Sequence, residues 1–278
     1  MPELPETETI ARDLDASVRD ALIIAVEVRK PDVLREVEAD TLAAAMANAR
    51  ITRVWRRAKL VVLDLDRDHV FSHIVVQPRF TGGLLIDHGQ ASPVDLAYVA
   101  ITLHLSDGRR LHYRDVRRLG TVALMSPARF AQYSDALGIE PLDPILGDAE
   151  FSVLVRASNR PIKIVLMDQR RLAGVGNIYA NEALWRAGID PSREASNLLE
   201  SETSALLAAL REVLTASIAA RGTSFRDYRD ARGERGAFVE QLAAYGRGGE
   251  PCLRCGRRLI ATHAIDGRGS VFCATCQR

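Results

Sequence analysis

Four cysteines carry the most explicit chemistry in this chain of 278 residues. Cys252-x2-Cys255-x17-Cys273-x2-Cys276 places two thiolate-bearing turns on either side of a spacer long enough for a β-hairpin, the pattern that encloses a tetrahedral Zn2+. In a reducing compartment the pattern favours metal over disulfides. Four protein ligands leave no open coordination position, so the expected zinc is single and structural, a scaffold and not a catalyst. Residues 237–278 lie near the roughly 40-residue limit below which a chain seldom holds a core unaided, and a bound metal would substitute for one. Asp266-Gly267 marks the hairpin tip, and Arg268 follows it directly.

A second candidate is the run Leu172-Ala173-Gly174-Val175-Gly176-Asn177, which joins two helical patterns. Gly174 and Gly176 let backbone approach a ligand closely, and Asn177 can cap the helix it begins while N–H groups face an anion. A plain turn has the same composition; what adds weight is the basic tail on the same half of the chain. Formal net charge is only +1, so the global balance does not announce a nucleic-acid or membrane-surface protein. The distribution says more: residues 1–50 hold 6 basic and 11 acidic side chains, residues 221–278 hold 11 and 6. Of the 37 basic residues, all but Lys30, Lys59 and Lys163 are arginine, so a lysine kept against that bias merits a second reading.

The elements that must position these groups read as follows. A helix is predicted over 5–18, with Ile10, Leu14 and Val18 on one face and Pro2 and Glu3 just ahead of it. From 22 to 124 the pattern is of short β-rich runs (51–55, 60–65, 70–76, 83–86, 98–105 and 110–113), interrupted by one helix over 33–47, which argues for a β-sandwich or barrel. Residues 138–147, with Pro141 and Pro144, read as a linker, and helices are predicted over 162–167, 177–187 and 201–220, with Gly188 and Gly222 as C-terminal caps. Residues 222–236 read as a loop. The pattern predicts an α+β, multidomain organisation: 1–132 a helix and β-sandwich, 133–150 a linker, 151–236 a helical domain with its loop, and 237–278 a zinc hairpin. No apolar run is long enough to cross a bilayer, and MPELPETE is the opposite of a signal peptide, so the chain reads as cytoplasmic.

MPELPETETI, Lys59 in Arg56-Arg57-Ala58-Lys59, the segment from Met167-Asp168-Gln169 through Gly174-Val175-Gly176-Asn177 to Leu184, and Tyr245-Gly246-Arg247-Gly248-Gly249-Glu250-Pro251-Cys252 through Cys276-Gln277 together resemble the formamidopyrimidine-DNA glycosylase family. The resemblance implies an N-terminal β-sandwich, a helix-two-turn-helix domain and a zinc hairpin with DNA bound across a cleft. It implies a bifunctional glycosylase and AP lyase of base excision repair, acting as a monomer in the bacterial cytosol on double-stranded DNA with oxidised purines or abasic sites. Met1 must then be removed so that Pro2 becomes the nucleophile. A secondary amine attacking C1′ yields a permanently cationic iminium, the electron sink that lets the 2′ proton and the strand phosphate leave. An α-amino group titrates at roughly 7.7–8.0, and the positive end of the adjacent helix lowers it further.

By the same resemblance Glu3 is the general acid/base at the sugar ring, Glu6 supports it, Lys59 contacts the lesion and its phosphate, and Asn177 and Arg268 hold the flanking phosphates. Acids at a helix start and a cation before a strand would look the same without that role. The family's wedge methionine is Phe80 here, a residue that fits either a wedge or sandwich core, and the Asp-Pro-Arg-Arg-Phe motif is Asp115-Val116-Arg117-Arg118-Leu119. Arg117 can still pair with the orphaned base, while Leu119 replaces a ring. Residues 223–238 correspond to the segment covering an oxidised purine, which with Leu4 favours this branch over an endonuclease VIII-like enzyme for oxidised pyrimidines. A non-catalytic lesion-binding protein would have no need of Pro2, Glu3 and Lys59 together.

Overall fold

Residues 2–225 and 227–278 are described by the computed structural model. Met1, and with it the expected removal of that residue, and Arg226 lie outside them. The chain divides into two compact units, Met1–Asp135 with Ala220–Ala237, and Ala136–Ala219 with Phe238–Arg278.

The first unit opens with helix α1 (Leu4–Val18), started by a reciprocal capping box between Glu3 and Glu6 with a proline in the first turn. Its Ile10, Leu14 and Val18 are fully buried, each worth about 1.5–3 kcal/mol of transfer free energy. There follow β1 (Ile23–Val28), β2 (Leu34–Arg35), α2 (Ala39–Met46), β3 (Arg50–Arg57), β4 (Leu60–Arg67), β5 (Val70–Gln77), β6 (Gly82–Asp87), α3 (Pro93–Leu96), β7 (Val99–Leu105), β8 (Arg110–Asp115), β9 (Thr121–Met125) and α4 (Pro127–Asp135). The strands form a four-stranded sheet, β1-β7-β8-β6, and a five-stranded sheet, β2-β9-β5-β4-β3. Side chains from both sheets, α1 and α2 share one core, including Leu14, Leu42, Leu63, Ile74, Leu103 and Leu111.

The second unit holds α5 (Asp148–Arg156), α6 (Ile162–Leu166), α7 (Asn177–Ala187), α8 (Glu200–Ala219) and the hairpin β10 (Ile260–Thr262) and β11 (Ser270–Phe272). Gly188 ends α7 in the left-handed conformation at φ +74°, as the sequence predicts. Trp185 packs with Leu259, Val271, Cys252 and Cys273 in a small separate core.

Several elements differ from the sequence reading. The helix expected over 33–47 is only α2, because Leu34 pairs with Val122 and draws the chain before it into β2. β1 and β9 were not predicted: β1 is an edge strand with Ile24 exposed, so it lacks clean alternation, and β9 is a short apolar run. Gly222 does not cap α8; Arg221 takes the first left-handed position after it, at φ +62°.

The two compact units divide the chain differently from the expected domains. Residues 138–147, read as a linker, are bonded into the second unit: Arg211 donates to the carbonyls of Pro141, Asp143 and Leu146, and Gly138 N–H donates to the Gln169 carbonyl. The loop assigned to the helical domain packs with the first unit instead. Its Thr223 N–H donates to Glu6 Oε1 at 2.8 Å and its Ala231 carbonyl accepts from Ile86 N–H at 2.9 Å.

Candidate active site

Pro2 and Glu3 sit buried at the first turn of α1. One buried carboxylate organises that turn. Glu6, fully excluded from solvent, accepts Glu3 N–H on Oε2 and Thr223 N–H on Oε1, both at 2.8 Å. The helix start and the beginning of the 223–236 loop are thereby held on the two oxygens of one side chain.

Lys59 lies half-buried in the two-residue turn between β3 and β4, where Ala58 takes a left-handed conformation at φ +53°. The Ala58 carbonyl accepts from Arg56 Nη1 at 3.3 Å, while the Thr7 hydroxyl of α1 donates its proton to the Glu3 carbonyl at 2.8 Å. Arg56 also donates to Glu8 of α1 at 2.6 Å. Burial disfavours the Glu8 carboxylate, but the Arg56 and Arg12 guanidinium groups outweigh it and hold the carboxyl below its ordinary range. The lysine turn is thus fastened to the helix that begins with Pro2 and Glu3.

Phe80 is 48% exposed, which excludes it from the sandwich core. The Arg117 guanidinium lies over its ring, 5.3 Å from the centroid, and Leu119 is exposed as well. What holds the segments bearing these groups is Asp115, a residue the sequence offered only as a motif letter. Its buried carboxylate accepts Thr81 Oγ1 and Arg117 N–H on Oδ1, and Gly120 N–H at 2.7 Å and Tyr113 Oη at 3.3 Å on Oδ2. Gly120 must lack a side chain, since a Cβ there would meet Tyr113 Oη at 2.1 Å and the Gln77 carbonyl at 2.8 Å. A cavity of 230 Å³ opens beside this region, lined by Thr81, Leu85, Arg114 and, from the loop, Asp227, Arg229 and Asp230.

In the second unit Gly174 N–H donates to Gln169 Oε1 at 3.0 Å, while Gln169 Nε2 donates back to the carbonyls of Met167 and Val175, closing the turn on itself. Asn177 does not cap α7. Gly176 is the N-cap, and Asn177 is the first helical residue, its Nδ2 donating to the Gly269 carbonyl at 3.0 Å. That bond carries Asn177 to the hairpin tip, where Arg268 is exposed and its N–H donates to Asp266 Oδ1 at 3.0 Å. The tip rests on Lys163 of α6. This fully buried lysine donates to Ser270 Oγ at 2.7 Å, Asp266 Oδ1 at 3.2 Å and the Gly269 carbonyl at 3.3 Å. Burial pulls its pKa below the ordinary value while Asp266 opposes the shift. Its signal was a lysine kept in an apolar run of an arginine-rich chain.

Cys252, Cys255, Cys273 and Cys276 converge, with all four sulfurs within 4.8 Å of one another. Cys255 Sγ and Cys273 Sγ are 3.5 Å apart. A disulfide needs about 2.05 Å, whereas bonds of about 2.3 Å from a tetrahedral zinc put sulfurs about 3.8 Å apart. Burial opposes ionisation of Cys252, yet N–H donors from Arg254 and Cys255 bring its thiol down to about 6. Hydrogen bonding to Cys255 pushes Cys276 up to about 12. Thiols this close cannot all ionise without a cation among them, and a divalent metal relieves that conflict.

Three family models match the chain: formamidopyrimidine-DNA glycosylase N-terminal domain over residues 1–122, formamidopyrimidine-DNA glycosylase H2TH domain over 137–229, and the zinc finger found in FPG and IleRS over 249–278. A formamidopyrimidine-DNA glycosylase of Desulfitobacterium hafniense is 40% identical over 279 residues, covering 100% of both chains. Among solved structures, a point mutant of Lactococcus lactis FPG bound to Fapy-dG-containing DNA superposes with a TM-score of 0.91 at 30% identity over 100% of both chains. The L. lactis Fpg complex with abasic-site DNA gives 0.90 at 30% identity over 99% of both.

Proposed function

We propose that this chain, which belongs to the formamidopyrimidine-DNA glycosylase family, excises oxidised purines from duplex DNA and incises the strand with Pro2 as its nucleophile. With Met1 removed, the imino nitrogen of Pro2 attacks C1′ of the damaged nucleotide, and the C1′–N9 bond breaks with its electron pair leaving on the base, which takes up the proton that the Pro2 nitrogen gives up. Glu3 delivers a proton as the sugar ring opens, leaving an iminium between Pro2 and C1′. Loss of the 2′ proton expels the 3′ phosphate, and a second elimination expels the 5′ phosphate. The two C–O bonds cleaved leave a strand gap with phosphate at both ends.

The observation that carries this reading is the double clamp of Glu6, which fixes Glu3 N–H and the loop residue Thr223 at once. A base-releasing site needs its proton carrier and its base-covering segment in fixed register. Lys59, on the turn that Arg56 ties to Glu8 of α1, supplies the cation for the lesion's phosphate. Phe80 and Leu119 occupy the space of the flipped base and Arg117 pairs with the orphaned one, offsetting the few kcal/mol that flipping costs. Asn177, Arg268 and the Gly176 N–H hold flanking phosphates, Gly174 shaping the turn through its bond to Gln169, and one structural zinc on Cys252, Cys255, Cys273 and Cys276 supports the hairpin bearing Arg268. Among the described residues no helix is long and apolar enough to cross a membrane. A DNA substrate supports action at the bacterial nucleoid.

The test is borohydride trapping on an 8-oxoguanine duplex, with the N-terminus read by mass spectrometry. Protein lacking Met1 should form a covalent adduct, and Pro2→Gly should reduce it sharply. Folded, metal-loaded protein that begins at Pro2 and yields no adduct overturns the reading.

A further inference from the structure

Behind the 223–236 loop lies a charge cluster that the chemistry above does not use. Arg221 reaches Asp13 of α1 with Nη2, at 2.5 Å from Oδ2, and Asp230 of the loop with Nε, at 2.8 Å from Oδ2. Arg232 adds a second contact to Asp13, at 3.4 Å. Both carboxylates are buried, Asp13 5% and Asp230 1% exposed. Two buried anions without these cations would be costly, so the arginine and the aspartates require one another. Asp230 is itself a turn organiser: Oδ1 accepts the N–H groups of Arg232 and Glu234, both at 2.9 Å.

The backbone at Arg221 is committed to the same end. Its φ of +62° is a conformation that favours glycine, and an arginine holds it at a cost that its side-chain bonds must offset. Its carbonyl accepts Tyr228 Oη at 3.1 Å, and the Tyr228 ring is buried against the sandwich core. Asp227, Arg229, Asp230 and Gly233 then form the loop wall of the 230 Å³ cavity whose other wall is β6 and β8.

We propose that Arg221, bridging Asp13 and Asp230, is a positioning residue that sets the loop wall against α1 and thereby governs release of the damaged base, but not cleavage of the strand. The inference rests on the function proposed above, in which the loop covers the base and α1 presents Pro2 and Glu3. An abasic site has no base to cover, so its processing does not need the loop wall. The bridge takes two acceptors from one planar guanidinium, which a lysine ammonium on a single stem cannot reproduce.

Two reactions separate the effects: single-turnover base release from an 8-oxoguanine duplex, and borohydride trapping at a preformed abasic site. Arg221→Gly removes the bridge and relaxes the left-handed backbone, so strain cannot confound it. It should slow base release about 10- to 100-fold, the cost of a small misplacement, while trapping at the abasic site stays near wild type. Arg221→Lys should fall between, and Asp13→Asn, which keeps the side-chain shape, should show the same split. Equal losses in both reactions, or unchanged base release in Arg221→Gly, would overturn the proposal. Wild-type protein inactive on both substrates would instead sink the underlying function, and this inference with it.

Discussion

Removing the Asp115 carboxylate tests the claim that one buried acid holds the segments bearing Phe80, Arg117 and Leu119. In Asp115→Ala, Gly120 N–H and Tyr113 Oη lose their acceptor inside the protein, while Thr81 Oγ1 and Arg117 N–H lie closer to solvent and can recruit water. Two stranded buried donors at about 1–3 kcal/mol each amount to about 2–6 kcal/mol. At about 2–4 °C per kcal/mol for a unit of this size, the melting temperature should fall by at least about 4 °C and by about 12 °C at the centre of both ranges. Asp115→Asn keeps one oxygen for Gly120 and should cost only about 1 kcal/mol. Calorimetry reads the melting, and a nicking assay on 8-oxoguanine duplex reads the function. Loosened wedge segments that lose about 1.4 kcal/mol of preorganisation would slow excision about tenfold. Asp115→Ala melting together with wild type would refute the reasoning.

Glu8→Gln should lower the melting temperature by an amount that is constant above about pH 5 and vanishes on acidification. The Glu8 carboxyl titrates below its unfolded value, so its contribution is present above that unfolded value and is lost as pH falls through the folded one; thermal melts from pH 3 to 7 read it. Lys163→Met leaves Asp266 without its buried cation and should cost about 3–5 kcal/mol, with weaker binding to abasic-site duplex in gel shift because Arg268 loses its support. Wild-type binding by the variant would show that the lysine does not support the tip. Chelation of the metal should change the fluorescence of Trp185, which packs on Cys252 and Cys273, and abolish DNA binding; both should return with zinc.

What the sequence made legible was what a local pattern can encode. The Cys-x2-Cys pairs, the apolar stripe of Ile10, Leu14 and Val18, and the long helix α8 all state their structure within one turn or one heptad. The ends of elements were less legible where a distant strand decided them, as Val122 did for Leu34. Least legible were the acids that hold the site. Glu6, Asp115 and Asp230 each accept two or more donors, and the partners of Glu6 include a loop residue more than 200 positions away. No spacing in the sequence reports such a bond. The same holds for Asn177, which looks like a cap and is instead the first helical residue bonded to Gly269.

The acidic start of the chain shows why net charge misleads here. Eleven acids against six bases over residues 1–50 would suggest a surface that repels a phosphate backbone. The fold buries or half-buries the five acids of residues 1–15, while Asp20, Glu27, Asp32, Glu36, Glu38 and Asp40 stay exposed. Glu3, Glu6 and Asp13 are buried, Glu8 is paired with Arg56 and Arg12, and Asp15 accepts Val54 N–H while pairing with Arg19. Meanwhile Arg79, Arg117 and Arg268 remain exposed. A carboxylate that accepts buried N–H groups fixes backbone, and one paired with an arginine adds nothing to the outer field, so a chain of formal charge +1 can present cations to DNA while using its anions as fasteners.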